Sequence, residues 1–181
     1  MNIAIFSGSF DPPHNAHEII IKQALKDLQI DKLIIIPAFL NPFKDKFFAP
    51  PNLRLKWCQK LWANLPKIEI SDFEIKQNRA VRSIESVEYF LDFYKPEICY
   101  FLIGADQLNG LKNWYKFDKL SNLVKFVVAL RDNISVPSGL QKLSINAKIS
   151  STKMRQNLNF DGVSEKIRSE VVKFYKEKYA K

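Results

Sequence analysis

Two histidines placed three residues apart are the side chains in this sequence that most clearly suggest chemistry. His14 and His17 are the only two histidines of the chain, and both lie in the stretch GSFDPPHNAH, which follows the apolar opening MNIAIF. Imidazole serves proteins as a metal ligand, as a proton donor or acceptor, and as a hydrogen-bond donor to anions. The stretch therefore predicts either a metal site or a site for an anionic substrate.

The residues around the pair favour the anion. Pro12 and Pro13 exclude a helix interior, so a helix should begin directly after them, with Asn15 as its N-cap. Both imidazoles would then lie at a helix N-terminus, where unpaired N–H groups attract phosphate, and Gly8 would let backbone approach closely. A metal site has only Asp11 as a further ligand nearby in sequence and is less favoured. A structural pairing, one histidine capping the helix and the other half-buried, is the remaining alternative.

Composition limits the class of protein. A chain of 181 residues with 46% hydrophobic content is typical of one folded domain over 1–181. No apolar run reaches the roughly 18 residues that a membrane span needs, so we expect no membrane association. Cys58 and Cys99 lie in apolar stretches, which predicts buried thiols in a reducing cytoplasm. The net charge of +9 favours an anionic partner, but no aromatic-basic motif predicts nucleic-acid binding. The oligomeric state stays open, and a homo-oligomer is one alternative.

Apolar stretches alternate with stretches of helical spacing along the chain. The strand candidates are rich in Ile, Val and Phe and cover 2–6, 32–37, 67–71, 99–104, 124–130 and 143–149. The helix candidates cover 17–28, 52–65, 83–94 and 163–179. This order predicts an α/β fold: a Rossmann-like, doubly wound parallel sheet with helices on both faces, in a single domain that ends in a helical segment over about 150–181.

In such open sheets, ligands bind at the carboxyl ends of the strands. The polar segments that follow the candidate strands are GSFDPPH after the first, AFLNPFK after the second, GADQ after the fourth and RDN after the fifth. We therefore expect these four segments to meet at one edge of the sheet.

Two motifs make the comparison with a known family specific. GSFDPPHNAH resembles the nucleotidylyltransferase superfamily signature Gly-x-(Ser/Thr)-Phe-Asp-Pro-x-His-x-Gly-His, and ISSTKMR at 149–155 resembles the second signature, Ile-Ser-Ser-Thr-x-x-Arg. Two signatures in the right order are far more specific than one. With NPFK at 41–44, LIGAD at 102–106 and Trp114, the chain resembles bacterial nicotinate-nucleotide adenylyltransferases. Ala16 stands where the signature has glycine, and its methyl group would crowd the nucleotide if the gap there is tight.

The resemblance implies a transfer reaction in NAD biosynthesis. The phosphate of nicotinate mononucleotide attacks the α-phosphorus of ATP, which gives deamido-NAD and pyrophosphate. Because the second pKa of a phosphate monoester is about 6, this nucleophile is mostly dianionic at neutral pH and needs no general base. The protein would position two anions in line and neutralise the charge that develops. Mg²⁺ would arrive on the ATP phosphates, with no metal site in the protein and no tightly bound organic cofactor.

The resemblance also implies roles for individual residues, beside their ordinary structural roles. The implied catalytic residues carry or donate positive charge: His14, His17, Lys44 and Arg155. The implied ATP-binding residues belong to the loops after the strands and to the mouth of the helix that ISST should open: Gly8, Ser9, Phe10, Gly104, Asp106, Arg131, Ser150, Ser151 and Thr152. The implied residues for the nicotinate nucleotide are Asn41, Ser83, Ile84, Glu85 and Trp114.

The sequence leaves three alternatives open. Trp114 would either stack on the pyridine ring or fill the core. The carboxylate of Glu85 would repel a substrate carboxylate, or it would accept a hydrogen bond from a carboxamide. The repulsion would be weaker if Glu85 turned to Arg79 or Arg82. We still predict a preference for the acid. Other adenylyl- and cytidylyltransferases of the superfamily, including the nicotinamide-mononucleotide enzyme, and a basic nucleotide- or RNA-binding module without turnover are the alternatives.

Overall fold

A computed structural model of the chain describes residues 1–131, 137, 140–145 and 149–179, with only the backbone at residue 131. The described residues form six strands: β1 (Asn2–Gly8), β2 (Lys32–Pro37), β3 (Ile68–Ile70), β4 (Ile98–Gly104), β5 (Lys125–Arg131) and β6 (Gln141–Ile145). They make one sheet in the order β3-β2-β1-β4-β5-β6, with every neighbouring pair parallel. The predicted parallel α/β fold is confirmed.

The strand order explains where a ligand site can form. β1 lies in the middle and pairs with β2 on one side, Phe6 opposite Ile35, and with β4 on the other, Ile5 opposite Phe101. The chain therefore winds outward from β1 in both directions. The crevice of such a sheet opens where the order reverses, between β1 and β4, at the carboxyl ends of the strands.

Seven α-helices and one 3-10 helix are described. The helices are α1 (Asn15–Asp27), α2 (Pro51–Trp62), α3 (Phe73–Lys76), α4 (Ser83–Tyr94), α5 (Phe117–Leu123), α6 (Ser151–Asn157) and α7 (Glu165–Tyr179), and the 3-10 helix is Ala105–Asn113. Helices α1, α2, α6 and α7 cover one face of the sheet, where Phe6 and Ala4 of β1 point. Helices α4 and α5 and the 3-10 helix cover the other face, where Ile3 and Ile5 point.

The long elements match the sequence-based bounds within a few residues, but three short elements had no predicted bounds. Helix α1 begins at Asn15, so its N-cap is His14 and not Asn15. Strand β6 begins at Gln141, two residues before the predicted start, and 146–148 lie outside the described residues. These elements are α3, the 3-10 helix and α5, which are too short or irregular for apolar periodicity to delimit.

Two expectations from composition concern the membrane and the thiols. None of the described helices combines the length and the apolar character that crossing a membrane requires. Cys58 and Cys99 are buried free thiols, and burial raises the pKa of both, that of Cys99 to about 12. The predicted burial of the thiols is therefore confirmed, and both are held in the unreactive protonated form.

Candidate functional site

One cleft of about 380 Å³ opens at the carboxyl edge of the sheet. Its walls are formed by the loops after β1, β2 and β4, by the start of α4 and by the start of α6. Most residues that the sequence singles out line it: Gly8, Ser9, Phe10, His14, His17, Asn41, Lys44, Ser83, Gly104, Asp106, Trp114, Ser150, Ser151, Thr152 and Arg155. The side chain of Arg131 and residues 132–133 lie outside the described part of the chain. The expectation that the segment after β5 joins the cleft is therefore untested.

The two imidazoles lie together at the mouth of α1. Their rings are stacked, with centroids 3.7 Å apart and an interplanar angle of 15°. The backbone N–H of His14 donates to Nδ1 of His17 over 3.1 Å, so a neutral His17 carries its proton on Nε2. Phe10 packs edge-on against His17, with centroids 4.9 Å apart. Backbone and aromatic contacts thus fix the ring of His17 with a donor on its far nitrogen.

Phe10 itself is held in an unusual conformation. Its φ of 46° is in the left-handed region, which is costly for a residue with a Cβ atom. Its ring is 2% exposed and lies between Phe6 and Trp62 as well as against His17. A Cβ atom at Gly8 would come within 3.3 Å of this ring, so glycine leaves the ring its space. The strained turn thereby places the ring of Phe10 against the imidazole of His17.

Asp11 joins several segments of the fold through hydrogen bonds of its carboxylate and its backbone. Its carboxylate accepts the backbone N–H groups of Phe48, at 2.8 Å, and Ala49, at 3.0 Å. The hydroxyl of Tyr175 on α7, which is fully buried, also donates to it. The backbone carbonyl of Asp11 accepts from the guanidinium of Arg155. One residue of the first motif thereby joins the loop after β2, α6 and α7.

Arg54 is a buried cation that was not predicted from the sequence. It is 1% exposed, and its guanidinium donates to four backbone carbonyls, those of Ala49 (2.9 Å), Ser9 (2.6 Å), Ala38 (2.8 Å) and Phe39 (2.9 Å). The signal was present, because helical spacing places this arginine on the apolar face of α2 with Trp57, Cys58 and Leu61. A charge among apolar residues at helical spacing indicates a specific buried role.

Two further cations reach the cleft beside the histidines. Nζ of Lys44 lies 3.4 Å from the Ser9 hydroxyl, and partial desolvation lowers the pKa of this lysine, with the charge of Arg155 adding to the effect. Arg155 is 7% exposed, and its guanidinium also lies 3.4 Å from the Thr152 hydroxyl and over the ring of Phe48. Its Nε atom is buried with no hydrogen-bond partner among the described residues. The pair forms a concentrated positive field at this end of the cleft.

The start of α6 is tied to the first motif as well. Ser150 is its N-cap, and the hydroxyl of Ser151 donates to the backbone carbonyl of Pro12 over 2.9 Å. Helix α6 includes Ser151 and Thr152, which were predicted from the sequence to lie just before it. The two signature motifs, 139 residues apart at this contact, therefore meet in space.

Asp106 follows β4 and contributes an exposed carboxylate to the opposite wall. A Cβ atom at Gly104 would come within 2.4 Å of its Oδ1 atom, so only glycine permits this position of the carboxylate. Trp114 is the C-cap of the 3-10 helix. Its indole packs edge-on against Phe101, at 6.1 Å, and Phe126, at 6.4 Å, while the half-buried residue also lines the cleft. Trp114 therefore packs against core residues and can also contact a ligand in the cleft.

The start of α4 corrects part of the expected nicotinate site. The side chain of Ile84 is 2% exposed and packs in the core, so it does not line the cleft. The carboxylate of Glu85 accepts from Arg79 at 2.6 Å and 3.2 Å and from the backbone N–H of Arg82 at 2.8 Å. Of the two orientations considered for Glu85, the turn toward Arg79 and Arg82 is the one formed. Ser83, the first residue of the helix, lines the cleft.

Glu74 is a second buried ionisable residue that was not predicted from the sequence. It lines the cleft but is 2% exposed, and its Oε1 atom accepts from the hydroxyls of Ser86 (2.8 Å) and Ser7 (3.1 Å). Burial raises the pKa of Glu74 to about 7, against a usual value of 4.5. The carboxyl group links the end of β1 to the first turn of α4, and it does so in its neutral form below about pH 7.

Replacing Glu74 by glutamine is expected to flatten the dependence of stability on pH. The folded state holds a proton on Glu74 up to about pH 7, whereas an unfolded glutamate loses it near 4.5, so this group stabilises the fold less as pH rises through that window. The glutamine variant should gain on the wild type by up to about 1.4 kcal/mol per pH unit there. Urea unfolding at pH 5 and pH 8 measures the gain, with Glu177→Gln on the exposed surface as the control. Parallel curves for wild type and variant would contradict the assignment.

Acidic, histidine and cysteine side chains do not assemble into a metal site within the described ranges. No group of three or more of them is placed to hold an ion. Asp11, the further ligand considered from sequence, already accepts hydrogen bonds from Phe48, Ala49 and Tyr175. The positively charged side chains that line the cleft, Lys44 and Arg155, favour an anionic ligand there.

Comparison with known proteins agrees with this geometry. The cytidylyltransferase-like family matches residues 5–157. The chain is 62% identical, over all 181 residues of both proteins, to a probable nicotinate-nucleotide adenylyltransferase of Campylobacter fetus. It is 51% identical, over 97% of each chain, to a protein of the same name from Campylobacter jejuni. The chain belongs to the nicotinate-nucleotide adenylyltransferase family. Members of this family are nucleotidyltransferases, and the resemblance stated from the two motifs is confirmed.

Solved structures share the fold of this adenylyltransferase family. Plasmodium falciparum nicotinic acid mononucleotide adenylyltransferase, complexed with NaAD, matches with a TM-score of 0.72 and 19% identity over 98% of this chain and 95% of that one. A putative nicotinate-nucleotide adenylyltransferase from Vibrio parahaemolyticus matches with a TM-score of 0.68 and 19% identity over 94% of this chain and 97% of that one. At this identity the likeness establishes the architecture of the sheet and its helices.

Ala16, the departure from the signature glycine, does not narrow the cleft. The residue is the second of α1 and is 0% exposed. Its methyl group is enclosed by the protein, and Ala16 is not among the residues that line the cleft.

Proposed function

We propose that this chain transfers the adenylyl group of ATP to the phosphate of nicotinate mononucleotide, giving deamido-NAD and pyrophosphate. The observation that carries the proposal is the convergence of four positive or proton-donating groups on one cleft: His14, His17, Lys44 and Arg155. They come from three separate segments that the fold brings together. Such a cluster suits two phosphorylated substrates whose reacting groups must approach each other against their mutual repulsion.

The chemistry requires positioning and charge neutralisation. An oxygen of the mononucleotide phosphate forms a bond to the α-phosphorus, and the bond from that phosphorus to the oxygen bridging the β-phosphorus breaks. Pyrophosphate leaves with the electron pair and carries the developing charge. His17 is oriented to donate from Nε2 to a phosphoryl oxygen, and Lys44 and Arg155 lie where they can neutralise the triphosphate. No residue is needed as a base, because the nucleophile is already ionised.

The other end of the cleft suits the pyridine nucleotide. Trp114 offers a flat aromatic surface, and Ser83 places the first N–H groups of α4 on the wall. Because Arg79 and the backbone N–H of Arg82 pair with the carboxylate of Glu85, its charge is partly neutralised and would repel an acidic substrate less. These features support nicotinate over nicotinamide as the accepted base. Asn41 also lines the cleft. Within its loop, its Oδ1 accepts a hydrogen bond from the backbone N–H of Phe43 over 2.9 Å.

Mg²⁺ belongs to the substrate in this proposal. It arrives on the ATP phosphates, and the exposed Asp106 is placed to orient water around it or to hold ribose hydroxyls. We expect no tightly bound organic cofactor, no nucleic-acid partner and a cytoplasmic location, which the buried free thiols of Cys58 and Cys99 support.

The proposal is tested by the release of pyrophosphate from purified protein. With MgATP and nicotinate mononucleotide together, pyrophosphate should appear in step with a dinucleotide product, and neither substrate alone should give it. A nucleotide- or RNA-binding module would bind ATP without turnover. Binding without pyrophosphate, at substrate concentrations that saturate the protein, would refute the enzymatic function.

Arg155→Lys is expected to weaken the use of ATP much more than the use of nicotinate mononucleotide. Lysine keeps the charge but loses the planar fork that contacts the Asp11 carbonyl and Thr152 together. We expect kcat/KM for ATP to fall by roughly tenfold or more. Steady-state kinetics with each substrate varied in turn measures both values, with Lys153→Arg on the exposed side of α6 as the control. An equal loss for both substrates, or none, would contradict this placement.

A further inference from the structure

Arg79 and Arg82, two arginines beside the start of α4, differ in their ion pairing. Arg79 makes a bidentate pair with Glu85, whereas Arg82 forms no ion pair in the part of the chain that the structure describes. The Arg79 contact is the main reason that the pKa of Glu85 is lowered, and the charge of Arg82 is the smallest contributor. The nearest carboxylate is therefore occupied by the other arginine.

Arg82 lies on the cleft wall among aromatic groups. Its guanidinium carbon lies 5.9 Å from the ring centre of Tyr115, which is 53% exposed and also lines the cleft. Trp114 is the residue directly before Tyr115, and Ser83 directly follows Arg82. The cations that suit phosphate, by contrast, belong to the loops after β1 and β2 and to α6. Arg82 therefore belongs to the aromatic end of the cleft.

We propose that Arg82 is a specificity-determining residue that selects an aromatic carboxylate over the corresponding carboxamide at the pyridine end of the cleft. The inference rests on the proposed adenylyl transfer and deepens it. A carboxylate presents two acceptor oxygens that match the two parallel N–H donors of a guanidinium. A carboxamide presents one acceptor and an NH₂ group, whose hydrogens face the donors of the arginine. The same side chain therefore favours the acid and disfavours the amide.

The fold allows this side chain to be changed without loss of the helix. The contact at the start of α4 uses the backbone N–H of Arg82, which donates to Glu85 over 2.8 Å, and not its guanidinium. Arg82→Gln therefore keeps that contact. Lys116 provides a matched control, because its Nζ lies 5.2 Å from the centre of the same Tyr115 ring but the residue does not line the cleft.

The test compares kcat/KM on nicotinate mononucleotide and nicotinamide mononucleotide. For Arg82→Gln, the value for the acid should fall by about tenfold or more, while the value for the amide stays within about twofold. Arg82→Lys should retain part of the selectivity, and Lys116→Gln should change neither value. Thermal melting checks that each variant is folded.

Other outcomes overturn the proposal in distinguishable ways. An unchanged ratio of acid to amide in folded Arg82→Gln, or an equal loss on both substrates, would show that Arg82 does not select between them. The same loss of selectivity in Lys116→Gln would assign it to the general positive field. Wild-type protein that adenylylates neither nucleotide would refute the proposed function itself, independently of Arg82.

Discussion

His17→Ala is expected to lower kcat by about a hundredfold or more while ATP still binds with similar affinity. The reason is that His17 is oriented by its neighbours before any substrate arrives. Its Nδ1 accepts from the His14 backbone, and Phe10 packs against its ring, so its Nε2 donor is fixed toward the cleft. A donor positioned for the charge of the transition state contributes mainly to turnover. Rapid-quench or steady-state kinetics, with ATP binding measured by calorimetry, separates the two quantities.

Two conservative variants sharpen this test. In His17→Gln the amide nitrogen lies near the position of Nε2, so some turnover should remain. In His17→Asn the amide oxygen lies near the position of Nδ1 and keeps the contact with the His14 backbone, but the distant donor is lost. We expect Asn to be as folded as Gln and much less active. Unchanged turnover in the alanine variant would contradict the role, and stoichiometric zinc in the purified protein would revive a metal site.

Arg54→Met is expected to lower the free energy of unfolding by roughly 3 kcal/mol. The variant keeps an apolar stem in α2 but leaves four carbonyls without their donor, those of Ser9, Ala38, Phe39 and Ala49. A buried polar group without a partner costs about 1 kcal/mol or more, and relaxation of the loop after β2 recovers part of the sum. For a chain of this size the loss corresponds to roughly 10 °C in Tm.

Urea and thermal unfolding measure this loss. Lys56→Met, two residues along the same helix and exposed, is the matched control and should change stability by less than about 0.5 kcal/mol. Because Arg54 also holds Ser9 and the loop that carries Lys44, the variant should lose activity at temperatures where it is still mostly folded. If the variant were as stable as the wild type, the four hydrogen bonds would make no net contribution to the free energy of unfolding.

The fold was predictable from sequence where single segments carry the signal. Each central strand, such as β2 with its buried run from Leu33 to Ile36, is covered on both faces and is therefore continuously apolar. The long helices α1 and α4 carry a regular apolar face. Helix α3 has only four residues, and the 3-10 helix does not follow the α-helical period, so neither leaves a pattern to detect.

The site was predictable where its residues are adjacent in the sequence. His14 and His17 lie in one motif, and Ser151 and Arg155 lie in another. The contacts that hold these motifs join distant segments: Tyr175 is 164 residues from Asp11, and Ser7 is 67 from Glu74. The orientation of Glu85 was equally undetermined, because it depends on capping α4 and on Arg79. Such pairings become visible only when the sheet places the loops together.

A competition between two acceptors tests the central claim most directly. Purified protein receives MgATP with equal concentrations of nicotinate mononucleotide and nicotinamide mononucleotide, and mass spectrometry quantifies the two dinucleotides at early times. The arrangement of Trp114, Ser83 and Arg82, with Glu85 held by Arg79, leads us to expect at least about ten times more deamido-NAD than NAD. Equal amounts, or an excess of NAD, would contradict the substrate assignment, and the absence of both would contradict adenylyl transfer.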